Sequence, residues 1–465
     1  MSTERLRLVP LPYHRDSAPW AARLADRPWC VFLDSCVARG SSGRYDVIAI
    51  EPTVTLVTTG ETTVISRDSV TEYSTEDPFA LVAAAVAELQ PVVSNLPFTG
   101  GALGYFGYDL GRRIERLPHI ARRDIELPDM AIGIYTRAIV VDHDERSANL
   151  VVHPQDHGDD AGLLAAWTGQ SPVTPPAFTT SFTVTSQVQP EINFAQYADG
   201  WQRIKRYLFD GDVYQVNLTQ RFSATAHGAP WDAYLRLRNL NPAPFSAYFA
   251  APGGTILSSS PERFLHIANG LVETKPIKGT RRRGATLGED RALAEELAAS
   301  DKDRAENVMI VDLLRNDLSK CCTTGSVRVT ALCAVESFTK VHHLVSTIQG
   351  RVAPRYSPLD VLRACFPGGS ITGAPKVRAM QIIEELEPSR RGIYCGAIGY
   401  VSSNARMDTN IAIRTLLYAA DRLYCWAGGG IVIDSELDLE YQECFAKASA
   451  MLEVFANAAV FDLGR

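Results

Sequence analysis

The spacing of apolar residues divides the chain into two patterned regions and an unpatterned stretch between them. In residues 1–153, Cys30-Val31-Phe32-Leu33 and residues 45–50 read as strands. Residues 79–89 are apolar almost throughout and read as a buried helix. Residues 139–141 and 149–152 read as a hairpin around 142–148. Residues 100–108 are rich in glycine and aromatics. Their glycines do not fall in a G-x-G-x-x-G spacing, so they predict close backbone packing in a strand and no dinucleotide site. From 154 to 192 the periodicity stops, and Pro172, Pro175, Pro176 and Pro190 punctuate a Ser/Thr-rich connector. The pattern resumes in 193–455. Asn193 starts a helix reaching about Phe209, and alternation from Tyr214 to Leu218 predicts a strand. Helices follow over 301–317 and 377–386. A C-terminal helix from about Leu437 carries an apolar stripe through Tyr441, Cys444, Ala448, Met451 and Phe455.

The strongest local signal lies within 257–280. Asn269-Gly270 separates two alternating runs, which predicts a β-hairpin. Continued outward, that register places Lys278 opposite residue 261, beside Glu262. Exposed Glu–Lys pairs across strands are common and worth little. Lys278, however, follows Pro276-Ile277 and precedes a glycine, where a strand ends and the backbone is shaped. An amine partly out of water becomes a nucleophile, and a carboxyl partly out of water keeps its proton and serves as a general acid.

Composition narrows the class. The chain has 465 residues, 46% hydrophobic and 21% charged, and a net charge of −7. That is globular composition with no basic signal for nucleic acid. The nine cysteines include no Cys-x-x-Cys, which argues against structural zinc and a disulfide framework and fits a reducing compartment. The start, Met1-Ser2-Thr3-Glu4-Arg5, has no signal-peptide core, and no apolar run is long enough to span a membrane. A cytoplasmic protein is expected.

Other stretches hold more polar residues than packing needs. Asp303 and Glu306 share one helix face, and so do Glu440 and Glu443. Taken alone, Asp303 and Glu306 read also as a solvated acidic turn at a helix start, and Glu440 and Glu443 read better as a wet helix face; together the pairs could share a divalent cation, with oxygen ligands suited to Mg²⁺. Residues 366–376, Phe-Pro-Gly-Gly-Ser-Ile-Thr-Gly-Ala-Pro-Lys, feed a helix and carry Lys376. They form either a plain loop or an anion site. Ala374 stands where a P-loop needs lysine, so a carboxylate suits this loop better than a phosphate. Arg414, inside what reads as an apolar strand, wants an anionic partner: a ligand carboxylate or one of the chain's own. Gly428-Gly429-Gly430 would let backbone N–H groups approach a ligand. His343 begins a strand, a position more often structural than catalytic. A small polycarboxylate bound with Mg²⁺ satisfies all of these groups.

Several stretches together resemble the chorismate-utilising enzymes: 214–218, Ser260-Pro261-Glu262-Arg263-Phe264, 303–307, 367–376, Met407-Asp408 with Arg414, and 428–432. Lys278 resembles the aminodeoxychorismate synthase component I branch, which adds nitrogen at C4; the similar anthranilate synthase component I carries alanine there. Gln215 stands where water-adding, isochorismate-forming members carry a lysine. The resemblance implies an α/β (α+β) fold of two large, mostly antiparallel sheets packed face to face with helices outside. It implies that Glu262 is the acid and Lys278 a covalent nucleophile, with His343 and Thr372 nearby. Gln215, Lys376, Arg414 and Gly428–Gly430 would contact chorismate, and Glu306, Glu440 and Glu443 would hold Mg²⁺. With no glutaminase nucleophile elbow in the chain, it implies a separate glutamine amidotransferase subunit as ammonia donor. Leu33-Asp34-Ser35, Arg44, Tyr45, Pro244 and Phe245 resemble a tryptophan pocket of the family. Anthranilate formation, and a non-catalytic tryptophan-sensing partner, are the competing readings.

Overall fold

The computed structural model describes residues 5–36, 43–169, 181–338 and 341–455. Two large sheets, of 13 and 12 strands, form its framework. The first runs Arg7–Leu11, Ser147–Val152, Arg137–Asp142, Tyr45–Ala49, Val31–Asp34, Phe245–Ala251, Gly254–Ser260, Thr415–Ala419, Arg422–Ile431, Gln215–His227 and Thr183–Val184. The second runs from Ile277–Arg282 through Val341–Arg351, Leu271–Thr274, Arg263–Ala268, Met407–Ile411, Ala397–Ser402, Gly101–Phe106 and Met130–Tyr135 to Val54–Thr59, Thr62–Arg67 and Val70–Ser74. Residues before 154 and after 192 supply strands to both.

Alternation explains the layering. In Val31–Asp34, Tyr45–Ala49 and Arg137–Asp142, residues Val31, Val47, Ala49, Ala138 and Val140 join a core shared with Leu56, Tyr105, Ile132 and Ile398 of the second sheet. Phe32, Ile48, Ile139 and Val141 point the other way, into a second core with Trp167, Trp231, Leu237 and Met451. The first sheet is therefore apolar on both faces. One face packs on the second sheet, and the other is covered by helices Ala161–Thr168, Pro230–Leu240 and Leu437–Phe455. Gly101 and Gly104 pack where a Cβ would strike the Val401 and Ala131 carbonyls, the close approach expected of that stretch.

The hairpin forms in the expected register: His266 faces Glu273 and Ala268 faces Leu271. Asn269 and Gly270 both take positive φ, 53° and 72°, as a two-residue turn of this type requires. Its outward continuation differs from expectation. Pairing across the hairpin ends with His266 opposite Glu273, and Ile277–Arg282 pairs instead with Val341–Arg351. Pro276 has no N–H to continue the ladder. The connector carries more structure than its composition suggests. Besides helix Ala161–Thr168, Thr183–Val184 and Gln189–Pro190 pair with Gln215–His227. Pro172, Pro175, Pro176 and Met1–Glu4 lie outside the described residues.

The chain crosses between sheets at two neighbouring places. Gly254–Ser260 lies in the first sheet and Arg263–Ala268 in the second, and Pro261-Glu262 joins them. Met407–Ile411 lies in the second and Thr415–Ala419 in the first, with Arg414 in the joint at φ +50°. Arg414 therefore sits at a crossover, not inside a strand. Backbone bonds tie the crossovers together: Ile411 N–H to Glu262 O at 3.0 Å, and Ser259 N–H to Arg414 O at 3.0 Å.

Candidate active site

Glu262 and Lys278 meet, although no strand pair brings them together. Glu262 is buried at the crossover and accepts hydrogen bonds from Ser370 Oγ at 2.7 Å and from the Ile277 backbone N–H. Lys278 Nζ donates to the Ser370 carbonyl at 3.0 Å. Burial pushes the Glu262 carboxyl up to about 7, against the lowering pull of Ser370, Lys278 and Ile277. Burial also lowers the Lys278 amine, and the Lys447 charge adds to this, while Glu306, Glu262 and Glu443 oppose it. The acid thus keeps its proton into the neutral range, and the amine releases its own more readily than a lysine in water. Gly279 (φ +77°) makes the bulge after Lys278, and a Cβ there would lie 2.9 Å from Asp303.

Two carboxylates, Glu306 and Glu443, act on that amine, and Glu440 neighbours both of them. Glu306 projects from helix Asp301–Ser319, which Ser300 caps; Glu440 and Glu443 project from Leu437–Phe455. Burial, with Asp303 and Glu440 as neighbouring charges, raises Glu306. Burial, with Glu443 beside it, raises Glu440. Burial would raise Glu443 too, but the ammonium groups of Lys447, Lys302 and Lys278 outweigh it and hold its pKa down. Glu440 accepts Ser435 Oγ at 2.6 Å and lies 4.0 Å from Lys302, and Lys447 pairs with Glu443 at 2.7 Å. Among the described residues no three His, Cys, Asp or Glu side chains stand close enough to enclose an ion alone. The oxygen-only donor set still fits Mg²⁺, which keeps waters and takes substrate oxygens beside few carboxylates. Asp303, on the same helix, turns instead to Arg281 at 3.3 Å.

The glycine strand and Gln215 make the next wall. Gly428, Gly429 and Gly430 pair with Thr219, Leu218 and Asn217. A Cβ on Gly429 would lie 2.9 Å from Glu440 Oε2, and one on Gly430 would lie 2.5 Å from Gln215 Nε2. Pairing with Thr415–Ala419 ends at Cys425, so residues 426–431 keep one edge free of a strand. Gln215 is buried. Its Nε2 donates to Asn217 Oδ1 at 2.9 Å, and its Oε1 has no partner among the described residues. Arg414 donates to Asn241 Oδ1 at 3.2 Å and makes no ion pair among the described residues, so no carboxylate of the chain claims it there. Its positive charge, after burial, helps hold the His343 pKa down to about 4, so His343 is neutral. His343 Nδ1 and Thr280 Oγ1 are 2.9 Å apart.

Two expected site residues are otherwise engaged. Lys376 Nζ pairs with Asp317 at 2.5 Å and donates to the Cys365 carbonyl at 2.7 Å. Thr372 donates its hydroxyl to the Gly368 carbonyl at 3.0 Å, while its own carbonyl accepts Asn217 N–H at 2.9 Å. Both groups shape the 366–376 loop. Sequence reasoning missed Ser370, which touches both Glu262 and Lys278. It also missed Arg391, buried and bonded to the Ile371 and Asn217 carbonyls at 2.9 and 3.0 Å and twice to Glu387. An arginine four residues after a glutamate was the available signal for the latter.

A separate cavity of about 330 Å³ opens between the sheets; Arg44, Tyr45, Pro244 and Phe245 line it with Arg263 and Asp408. Ser35 lies outside that lining and donates its hydroxyl to Asp46 at 2.6 Å. Arg44 is held bidentately by Asp142 at 2.9 and 2.7 Å.

The sequence pattern of the chorismate binding enzymes matches residues 30–453. The chain is 46% identical to "Aminodeoxychorismate synthase component 1" of Escherichia coli (strain K12), over 97% of this chain and 99% of that one. It is 48% identical to the protein of the same name from Klebsiella aerogenes, over 96% and 98%. Its fold matches the crystal structure of anthranilate synthase component I from Streptococcus pneumoniae TIGR4, with a TM-score of 0.79 at 33% identity, covering 89% of this chain and 93% of that one. With an acid and an amine converging beside three carboxylates, and with matches along nearly its whole length, the chain belongs to the chorismate binding enzyme family.

Proposed function

We propose that this chain is the component of an aminodeoxychorismate synthase that converts chorismate and ammonia to 4-amino-4-deoxychorismate, for p-aminobenzoate and folate synthesis. The observation that carries this reading is the buried pair of Glu262 and Lys278, joined through Ser370, in a chain 46% identical to a relative of that name. Neutral Glu262 donates its proton to the C4 hydroxyl, which leaves as water. Neutral Lys278 forms a bond from Nζ to C2 as the ring double bonds shift and the C4–O bond breaks. Ammonia then bonds to C4, the double bonds shift back, and the C2–Nζ bond breaks to return the amine. Arg414 and the free edge of 428–430 receive the enolpyruvyl carboxylate, and Gln215 Oε1 offers an acceptor to ammonia N–H. Glu306, Glu440 and Glu443 would hold Mg²⁺, which when bound supplies positive charge opposite the ring carboxylate. Neutral His343 lies near the ring in a supporting role. A separate glutamine amidotransferase subunit would deliver the ammonia, and tryptophan would fit the 330 Å³ cavity. Stoichiometric tryptophan in an extract of the denatured protein tests the last point.

The test of the activity is product analysis by mass spectrometry after incubation with chorismate, Mg²⁺ and ammonium, with Lys278→Ala alongside. Aminodeoxychorismate from the wild type, lost in the variant, is expected. Anthranilate from the wild type overturns the reading. Turnover appearing on addition of an amidotransferase identifies a subunit the site needs. No turnover under any condition favours a sensing partner.

A further inference from the structure

We propose that Ser370 is a positioning residue: its hydroxyl holds one oxygen of Glu262, leaving the other to deliver the proton, while its carbonyl holds the Lys278 amine. This rests on the reading above and deepens it. Ser370 Oγ donates to Glu262 Oε1 at 2.7 Å, and the Ser370 carbonyl receives Lys278 Nζ at 3.0 Å. One residue thereby sets the separation of acid and nucleophile. A serine hydroxyl has one proton to give. With Oε1 receiving that proton, Oε1 acts as the carboxyl's acceptor oxygen and the carboxyl's own proton is favoured on Oε2; the Ile277 N–H also bonds the carboxyl and is untouched by changes at Ser370.

The turn that carries Ser370 is fixed independently of its side chain. Gly369–Ile371 forms a single 3₁₀ turn. Side chains cannot enter at Gly368 or Gly369 without meeting Ile411 at 2.6 Å or Leu313 at 2.5 Å. Arg391 holds the Ile371 carbonyl at 2.9 Å, and Asn217 Nδ2 approaches the Ser370 carbonyl at 3.4 Å. Removing Oγ therefore leaves the turn and the Lys278 contact in place and takes only the hydroxyl bond from Glu262, whose bond from the Ile277 N–H remains. The charged and titratable neighbours facing Glu262 are Lys278 and the buried Cys395 thiol. Glu306, Glu443 and Lys447 act on Lys278 from behind. The substitution leaves all of these unchanged.

The experiment compares Ser370→Ala, Ser370→Cys and Ser370→Thr with wild type in the full chain, using chorismate, Mg²⁺ and ammonium. For Ser370→Ala, kcat falls at least ~10-fold, part of the roughly 10²–10⁴-fold that a positioned acid supplies, and KM for chorismate stays within about 3-fold. A general acid must be protonated, so activity falls as pH rises through the Glu262 pKa. Without the serine bond to the carboxylate, that limb moves to higher pH. The thiol, a weak donor, behaves like alanine and keeps the test readable if the alanine variant does not fold. Threonine restores both kcat and the limb. Wild-type kcat and pH limb in either Ser370→Ala or Ser370→Cys overturns the proposal, as does a threonine variant that stays impaired while folded. The carboxyl C=O stretch of Glu262, isolated by infrared difference against Glu262→Gln, titrates without any turnover. If the wild type makes another product but this titration still shifts upward in Ser370→Ala, the functional reading fails and the placement of Glu262 by Ser370 stands.

Discussion

Replacing Arg414 by methionine separates a ligand-binding arginine from a structural one. Arg414 is largely buried and lacks a carboxylate partner among the described residues; burial holds its pKa below the usual arginine value. Such a cation costs the fold more than it returns until an anion arrives. Methionine keeps much of the stem and removes the charge. Its backbone cost at φ +50° is similar, because both residues carry a Cβ. The variant loses the 3.2 Å bond to Asn241, worth about 1 kcal/mol, and regains the desolvation of a charge. Stability in urea therefore stays within about 1 kcal/mol of wild type. Binding behaves differently. A charge-assisted bond to the substrate carboxylate is worth about 1.5–3 kcal/mol, which is roughly 10- to 100-fold in Kd. Fluorescence titration with chorismate in the absence of ammonium measures this directly. His343, freed of the Arg414 charge, titrates above its present value of about 4, which NMR reads independently. A variant destabilised by about 3 kcal/mol or more, with unchanged chorismate affinity, would falsify the argument, because the charge would then be satisfied inside the protein.

Other perturbations follow from the same contacts. Glu262→Gln removes the acid and slows amination by roughly 10²–10⁴-fold. Because burial raises the Glu262 pKa to about 7, the folded state binds its proton more tightly than the unfolded one, and the wild type loses stability as pH climbs from about 4.5 to about 7. The glutamine variant gains relative stability across that window, by up to ~3 kcal/mol, and urea midpoints that run parallel at all pH values refute the shift. Asp317→Ala strands the buried Lys376 ammonium and costs about 3–5 kcal/mol in Tm-based stability. Asp317→Leu with Lys376→Met recovers most of it, and a folded double variant that cannot bind chorismate would return Lys376 to the site. Gly430→Ala places a Cβ 2.5 Å from Gln215 Nε2, so it raises KM for ammonium more than KM for chorismate; equal increases would count against Gln215 as the ammonia contact.

Much of the framework was legible because local chemistry dictated it. Asn269-Gly270 accepts the two positive φ values of the turn, so the register of 263–274 followed directly. Val31–Asp34 and Arg137–Asp142 read as continuous apolar runs because both faces of their sheet are buried. What stayed hidden was partner choice over long separations. Nothing local says that Val31–Asp34 lies beside Phe245–Ala251, or that Ile277–Arg282 leaves its hairpin for Val341–Arg351. The pairing of Lys376 stayed hidden for the same reason. A lysine after a glycine-rich loop suggests an anion, and its actual anion, Asp317, sits on a helix far away in sequence. Ser370 carried no signal at all, since a serine in such a loop belongs to no periodic pattern.

The legible and hidden parts of the site share one cause, which is where the chain leaves one sheet for the other. Along a strand, alternation assigns each side chain a face, and a buried charge there would break the pattern at the cost of desolvation. At a crossover, the ladder's alternation lapses and no face is assigned. Glu262 and Arg414 occupy the two crossovers, and the crossover backbones satisfy each other through Ile411 N–H to Glu262 O and Ser259 N–H to Arg414 O. Those bonds leave the side chains free to point into the space between the sheet ends. Ser-Pro-Glu and Ala-Ile-Arg-Thr thus appear in the sequence as interruptions of otherwise apolar runs, visible without any knowledge of the sheets. Glu306, Glu440 and Glu443 lie on helices whose polar faces look ordinary; packing buries Glu440, while Glu443 stays 47% exposed and pairs with Lys447. Arg414 was therefore readable as a broken pattern and Glu262 from the hairpin next to it, whereas the proximity of the carboxylates depends on how their helices pack.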